Sequence, residues 1–255
     1  MDARAARAEA IRGLVRATYE SPEVVARYTD VGLWPVEEAL VLEHVPDGAR
    51  LLDLGCGAGR TSIPLAEMGL EVTGIDLSPL MIEVAQQQAQ LAGVDVQFAV
   101  MDAVSLRFPD GSFDVVLFSY NGIELVPGRQ AKDGVLREVA RVLRPGGVFL
   151  FSTHSLFAAN RYATARLAAF LRLCAGRLLR LPVAEKELGE RFIDDPDEEV
   201  RYLQVLPPST WLRLLRRSGF TVVLFNTRRR IEAGRRYGWL GALEDSERFY
   251  VARRA

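Results

Sequence analysis

Between residues 49 and 152 short apolar runs alternate with helical patterns five times, and the connections are short. The apolar runs are 49–54 (ARLLDL), 70–75 (LEVTGI), 94–100, 113–119 (FDVVLFS) and 148–152. The amphipathic stretches between them cover 60–68, 79–92 and 129–143. Strands that read as almost continuously apolar are buried on both faces, and strand–helix alternation produces parallel βαβ units with helices above and below the sheet. The expected fold is therefore α/β, a doubly wound parallel sheet. Punctuation agrees with this reading. Pro79 suits the first position of a helix capped by Ser78, and Arg144-Pro145-Gly146-Gly147 stops the helix before the fifth strand.

Outside this block the pattern loosens. Residues 5–20 and 35–45 read as helices, Pro46-Asp47-Gly48 as a turn, and the stretch holding Tyr19, Tyr28 and Trp34 as a flexible segment. Residues 155–206 break the rhythm with a long helical stretch at 162–181, bearing Arg166, Arg172, Arg177 and Arg180, followed by the acidic run DDPDEE at 194–199. Regular structure resumes with a helix at 210–217 capped by Ser209, a sixth strand at 220–226 and a seventh at 248–252. Without a linker-like stretch, 155–206 reads as a cap inserted over one sheet. The division is then a single domain over 1–255: an N-terminal lid (1–45), a binding core (46–154), a helical cap insertion (155–206) and C-terminal strands (207–255).

A chain of 255 residues can bury such a core without disulfides. No run of about 18 apolar residues is present, and the charged N-terminus lacks an apolar signal core, so neither a transmembrane helix nor secretion is expected. Two distant cysteines, Cys56 and Cys174, and two histidines, His44 and His154, make neither a disulfide framework nor a zinc site and suit a reducing cytoplasm. The net charge of −1 hides an asymmetry: residues 1–127 carry 8 basic and 19 acidic side chains, residues 128–255 carry 24 and 14. The basic half would suit an anionic substrate or membrane surface, or two solvated faces of opposite sign that dock on each other. Nucleic acid is not an expected partner, because the balance is not basic and no added binding module is visible.

Chemistry concentrates where the first strand ends. Gly55-Cys56-Gly57-Ala58-Gly59 joins a strand to a helix, glycine allows close approach of a ligand to the backbone, and the helix start offers free N–H groups. Asp76 closes the next strand, 21 residues after Gly55, where a carboxylate can accept both hydroxyls of a ribose. The corner thus suits a nucleoside cofactor. The dinucleotide pattern wants a third glycine three residues after the second, and here the interval is two.

These residues resemble a known family. LLDLGCGAGR (51–60) is similar to the first motif of class I S-adenosyl-L-methionine (SAM) dependent methyltransferases, GIDLSPLMIEVA (74–85) to the second, MDA (101–103) to the acid after strand three, and FDVVLFS with REVARVLRPGGVFLFS (137–152) to the later strands and turn. The style is that of small-molecule enzymes of the ubiquinone and menaquinone type. The resemblance implies a Rossmann-like seven-stranded sheet with strand seven antiparallel between strands five and six. It implies SAM as cofactor and S-adenosylhomocysteine as product. It also implies that Asp53 orients the glycine loop, that Gly55, Cys56 and Gly57 face the methionine and ribose, and that Asp76 holds the ribose diol. Leu77 and Met81 would flank adenine, Asp102 would bond its amine beside Ala103, and Ser119 and Tyr120 would lie along the methionine. Arg60 would meet the SAM carboxylate or pair within the protein, and Tyr28 would touch the cofactor from the lid. The resemblance also implies a small-molecule acceptor with a nitrogen, oxygen or carbon nucleophile. The candidates for a base or for steering it are His154, Tyr120 and Glu124. Ser-Tyr-Asn-Gly at 119–122, in place of an Asp/Asn-Pro-Pro-Tyr sequence, argues against polymer substrates.

Overall fold

A computed structural model of the chain describes residues 3–193 and 200–255. The acidic run at 194–199 lies outside the described residues. Nine helices and nine strands are described: α1 (Ala3–Tyr19), α2 (Pro22–Asp30), α3 (Pro35–His44), β1 (Arg50–Leu54), α4 (Ser62–Glu67), β2 (Glu71–Asp76), α5 (Pro79–Ala92), β3 (Gln97–Val100), β4 (Phe113–Phe118), α6 (Gly128–Val142), β5 (Leu143–Thr153), α7 (Ala163–Leu179), β6 (Glu190–Phe192), β7 (Tyr202–Gln204), α8 (Pro208–Arg217), β8 (Phe220–Thr227), α9 (Arg228–Glu232) and β9 (Arg248–Arg254).

Seven strands form one sheet in the order β3-β2-β1-β4-β5-β9-β8. β9 runs antiparallel to both neighbours, and the other pairings are parallel. The last strand therefore sits antiparallel between the fifth and sixth strands expected from the sequence, as the resemblance implied. Strand alternation divides the core in two. Leu52, Leu54, Val116, Phe118, Phe149, Phe151, Tyr250 and Ala252 face α6 and α8, packing on Val135, Leu136, Val139, Trp211 and Leu215. Their neighbours Leu51, Val115, Leu117, Val148, Leu150, Phe249 and Val251 face the other way, onto Val36, Leu40 and Val41 of α3 and Leu65 of α4. Both faces are covered, which is why the strands read as unbroken apolar runs.

The chain moves outward from β1 through β2 to β3, then returns to place β4 on the other side of β1. The loops after β1 and β4 therefore part company and leave a crevice beyond the carboxyl ends of the strands.

Four features differ from the sequence reading. The segment after Tyr19 contains a helix, α2, started by Pro22. Helix α4 begins at Ser62, not at residue 60, because the glycine turn extends through Thr61. The insertion carries a two-stranded antiparallel ribbon, β6–β7, in addition to its helix. At Gly189 (φ +82°) a Cβ would collide with the Val205 carbonyl, and this close approach lets the ribbon fold back. A further helix, α9, and a 3-10 turn at Trp239–Leu243 occupy the stretch between β8 and β9.

Candidate active site

The glycine corner is built on two carboxylates. Asp53, fully buried in β1, accepts from Thr61 Oγ1 (2.5 Å) and Ser62 Oγ (2.6 Å), so it holds the far end of the loop in place. Its burial raises its pKa to about 6 against these two hydrogen bonds. Its other oxygen, Oδ1, is buried with no partner. Asp76 at the end of β2 reaches the loop's near end. Its Oδ2 accepts from the Gly57 N–H (3.0 Å) and its Oδ1 from the Ser78 N–H (2.9 Å). Burial pushes this carboxyl above its usual range, against the pull of those backbone donors. Gly57 itself has φ +55°, and a Cβ there would meet nothing nearer than Met81 Sδ at 4.0 Å, so the backbone opens toward the crevice.

The crevice, together with the open solvent at its mouth, holds about 1070 Å³ of empty space. Its walls bring together Tyr28, Gly55, Cys56, Gly57, Arg60, Asp76, Leu77, Met81, Asp102, Ala103, Ser119 and Tyr120. Asp53 does not line it; it stands beneath the loop. Cys56 is buried, and burial pushes its thiol well above its ordinary pKa beside Asp76 and Asp53.

The end of the crevice beside Arg60 and Ser119 has a feature that the sequence reading missed. Arg60 pairs with Glu37 of α3 through two hydrogen bonds (2.9 and 2.8 Å) and also donates to Gly32 O (2.9 Å) and Ser119 Oγ (2.5 Å). Ser119 Oγ donates in turn to Glu37. Glu37 is fully buried. Its sequence context, third residue of a helix starting at Pro35, signalled only a cap, and it does accept the Trp34 N–H. The Arg60 guanidinium also lies under the rings of Tyr120 (4.8 Å) and Trp34 (5.5 Å). Tyr120 and Asn121 have positive φ (50° and 62°), a conformation uncommon for a bulky residue, and it turns the tyrosine into the crevice.

The lid covers the crevice with Arg12, Val15, Arg16 and Tyr19 of α1, none of which the sequence reading assigned to the cofactor. Arg12 Nε stands 2.7 Å from Asp102 Oδ2. Tyr28 packs edge-on against both Tyr19 (5.5 Å) and Tyr120 (5.6 Å), so it faces the crevice and the first helix together. Ser78 caps α5 and donates to Tyr19 O, which ties the lid's base to β2.

Of the three base candidates only Tyr120 lines the crevice. Glu124, a candidate for steering the acceptor or acting as a base, is buried and turned toward β5. Its Oε1 accepts the His154 N–H (2.8 Å), and its Oε2 lies 2.6 Å from His154 Nδ1. Both oxygens are therefore engaged by His154. Desolvation lowers the His154 pKa, but Glu124 outweighs it and the net direction is upward. The other ring nitrogen, Nε2, lies 3.3 Å from Asn121 Nδ2, adjacent to Tyr120 in the chain.

Fold and corner together place an open crevice at the switch point of a doubly wound sheet. Residues 51–147 match the family model described as "Methyltransferase domain". Over these residues the chain is similar to SAM-dependent methyltransferases. It is 41% identical over 110 residues to a 2-methyl-6-phytyl-1,4-hydroquinone methyltransferase of Synechocystis, covering 43% of this chain and 33% of that one. It is 39% identical over 110 residues to a demethylmenaquinone methyltransferase of Thermus thermophilus, covering 42% and 47%. These matches span about half the length of the relatives or less. A SAM-dependent methyltransferase structure from Methanosarcina mazei superposes with a TM-score of 0.68 at 23% identity, covering 88% of this chain and 99% of that one, and shares the fold.

Proposed function

We propose that the chain transfers the methyl group of SAM to a small-molecule acceptor and releases S-adenosylhomocysteine. The observation that carries this reading is Asp76. A carboxylate offers about four acceptor positions, and the backbone uses one on each oxygen. Two remain for the adjacent hydroxyls of a ribose, in a crevice whose neighbouring loop has no side chain at Gly57 to obstruct a ligand.

In this reading Leu77 and Met81 flank the adenine and Asp102 accepts from its amine beside Ala103. Gly55, Cys56 and Gly57 give backbone contacts along the ribose and methionine. Ser119 and Arg60 face the amino-acid end. The rings of Tyr28 and Tyr120 present electron-rich faces to the cationic end. When bound, SAM supplies an electrophilic methyl group and a neutral leaving group. The protein's work is then to hold the acceptor aligned and dry, an effect that reaches ~7–11 kcal/mol in favourable cases. Tyr120, the base candidate that lines the crevice, stands where it can meet the acceptor's proton, while His154 and Glu124 pair outside that lining. Two unpaired cysteines support a reducing, cytoplasmic setting.

Calorimetry with SAM against NAD, followed by turnover with hydroquinones and other phenols, tests the reading. The expected result is SAM binding and S-adenosylhomocysteine formation. Preferential NAD binding overturns it. A Tyr120→Phe variant, which keeps the ring and removes the hydroxyl, should lower turnover more than it lowers SAM affinity.

A further inference from the structure

Helix α7 is 17 residues long, yet only Ala169 and Leu173 of it are buried. At 100° per residue these two point one way. On the opposite side Leu167, Phe170, Leu171, Cys174 and Leu178 form a single stripe, spaced i, i+3, i+4, i+7, i+11. All are exposed, Leu178 at 83% and Leu167 at 57%. Beyond the helix Leu181 is exposed as well. A continuous apolar stripe of this kind on a folded domain marks a surface that another body covers.

We propose that α7 docks this stripe on a lipid bilayer bearing anionic headgroups. Charge selects that occupant. The helix contains three arginines and no carboxylate. Arg172 lies on one flank of the stripe and Arg166 and Arg177 on the other, roughly 80–140° around the helix from its centre. Arg172 is matched by Glu185. Arg166 and Arg177 donate to neutral groups, Asn160 Oδ1 and the carbonyls of Ala158 and Lys186, so their charge is not cancelled there. An apolar stripe between basic flanks is the pattern of a helix lying in the plane of an interface, its long cationic side chains reaching the headgroups. A second copy of the chain fits less well, because two α7 stripes packed together would bring arginine against arginine with no acid on either helix. The helix lies on the membrane and does not cross it: among the described residues no helix is long and apolar enough to span.

The direction of docking follows from topology. α7 belongs to the connection leaving the carboxyl end of β5, and the exposed Arg229, Arg235 and Arg236 follow the carboxyl end of β8. Both connections leave the sheet at the edge where the crevice opens. This docking stands independently of the methyl-transfer reading.

The test uses the full chain with vesicles of phosphatidylcholine, alone or mixed with phosphatidylglycerol. The chain is expected to sediment with the mixed vesicles, about tenfold less with phosphatidylcholine alone, and to be released by high salt. Leu171→Glu combined with Leu178→Glu, both at exposed positions, should lower binding at least about tenfold without changing the thermal unfolding temperature. A second readout needs no variant. Cys174 lies in the stripe while Cys56 is buried, so an environment-sensitive dye on Cys174 should shift to the blue when mixed vesicles are added. No sedimentation, equal sedimentation with neutral vesicles, or an unshifted dye overturns the proposal. So does light scattering that shows a dimer dissociated by the two glutamates.

Discussion

Arg12 of the first helix and Asp102 after β3 approach to 2.7 Å, closing α1 across the crevice beside the end of β3. Asp102 also accepts the Val104 N–H (3.0 Å) through its other oxygen, so one carboxylate serves its own turn and the lid. The arginine is about one-fifth exposed and the aspartate about one-third, so water screens the pair. Arg12→Gln should therefore weaken SAM binding only modestly, by less than about 1 kcal/mol or roughly fivefold. It should also make α1 more open to protease. Calorimetry and limited proteolysis with and without SAM measure the two effects. Protection by SAM that is the same in both proteins would show that Arg12 plays no part in closure.

Asp76→Ala removes the two free acceptor positions and the clamp on Gly57. SAM affinity should fall by about 1.5–3 kcal/mol, the scale of hydrogen bonds to a charged group. Calorimetry on the folded variant reads the change, and unaltered affinity would refute the ribose role. The carboxylate is required in its ionised form, and burial raises its pKa. Binding should accordingly weaken as pH falls toward the carboxyl range in the wild type, while the weak binding of the variant should lack that limb.

The sheet and the glycine corner were readable because each rests on local pattern: unbroken apolar runs for strands buried on both faces, closely spaced glycines between strand and helix, and an acid at a fixed distance. What could not be read depends on side chains from distant segments. Glu37 meets Arg60 from 23 residues away and Ser119 from 82. Nothing in PVEEALVLEH separates Glu37, fully buried, from exposed Glu38 beside it. Glu124 likewise reads as a loop acid until β5 brings His154 to its two oxygens. The β6–β7 ribbon was hidden because three-residue strands carry too little periodicity to register.

The Glu37–Arg60 pair is inaccessible on both sides, with 0% and 5% side-chain exposure. Removing one partner strands the other charge in the interior. Glu37→Ala should destabilise the fold by about 3–5 kcal/mol, measured by urea unfolding. Adding Arg60→Ala should cost much less than the sum of the two single losses, because the stranded charge disappears with it. Additive losses would mean that the two side chains act separately and that the lid is held by packing alone.

Lys132 of α6 is fully buried. It donates to the carbonyls of Glu124 (3.4 Å) and Val126 and to Gln204 Oε1 (3.1 Å), which joins the loop after β4 to the β6–β7 ribbon. Burial lowers its pKa from 10.5 to about 7, against the raising effect of Glu124, Glu187 and Glu190. The sign follows from proton counting. Below pH 7 the folded and unfolded chains both hold the proton, and the folded state carries the whole cost of the buried charge. Between about 7 and 10.5 the unfolded chain holds it and the folded chain has released it, so stability gained through this group rises with pH, by up to about 1.4 kcal/mol per pH unit. Lys132→Met eliminates the titration. The other groups titrate alike in both proteins, so subtracting the variant's unfolding free energy from that of the wild type isolates the lysine. The difference should climb across this window in favour of the wild type and be level below it. Parallel curves would show that Lys132 keeps its proton throughout, with its three acceptors satisfying all three ammonium hydrogens.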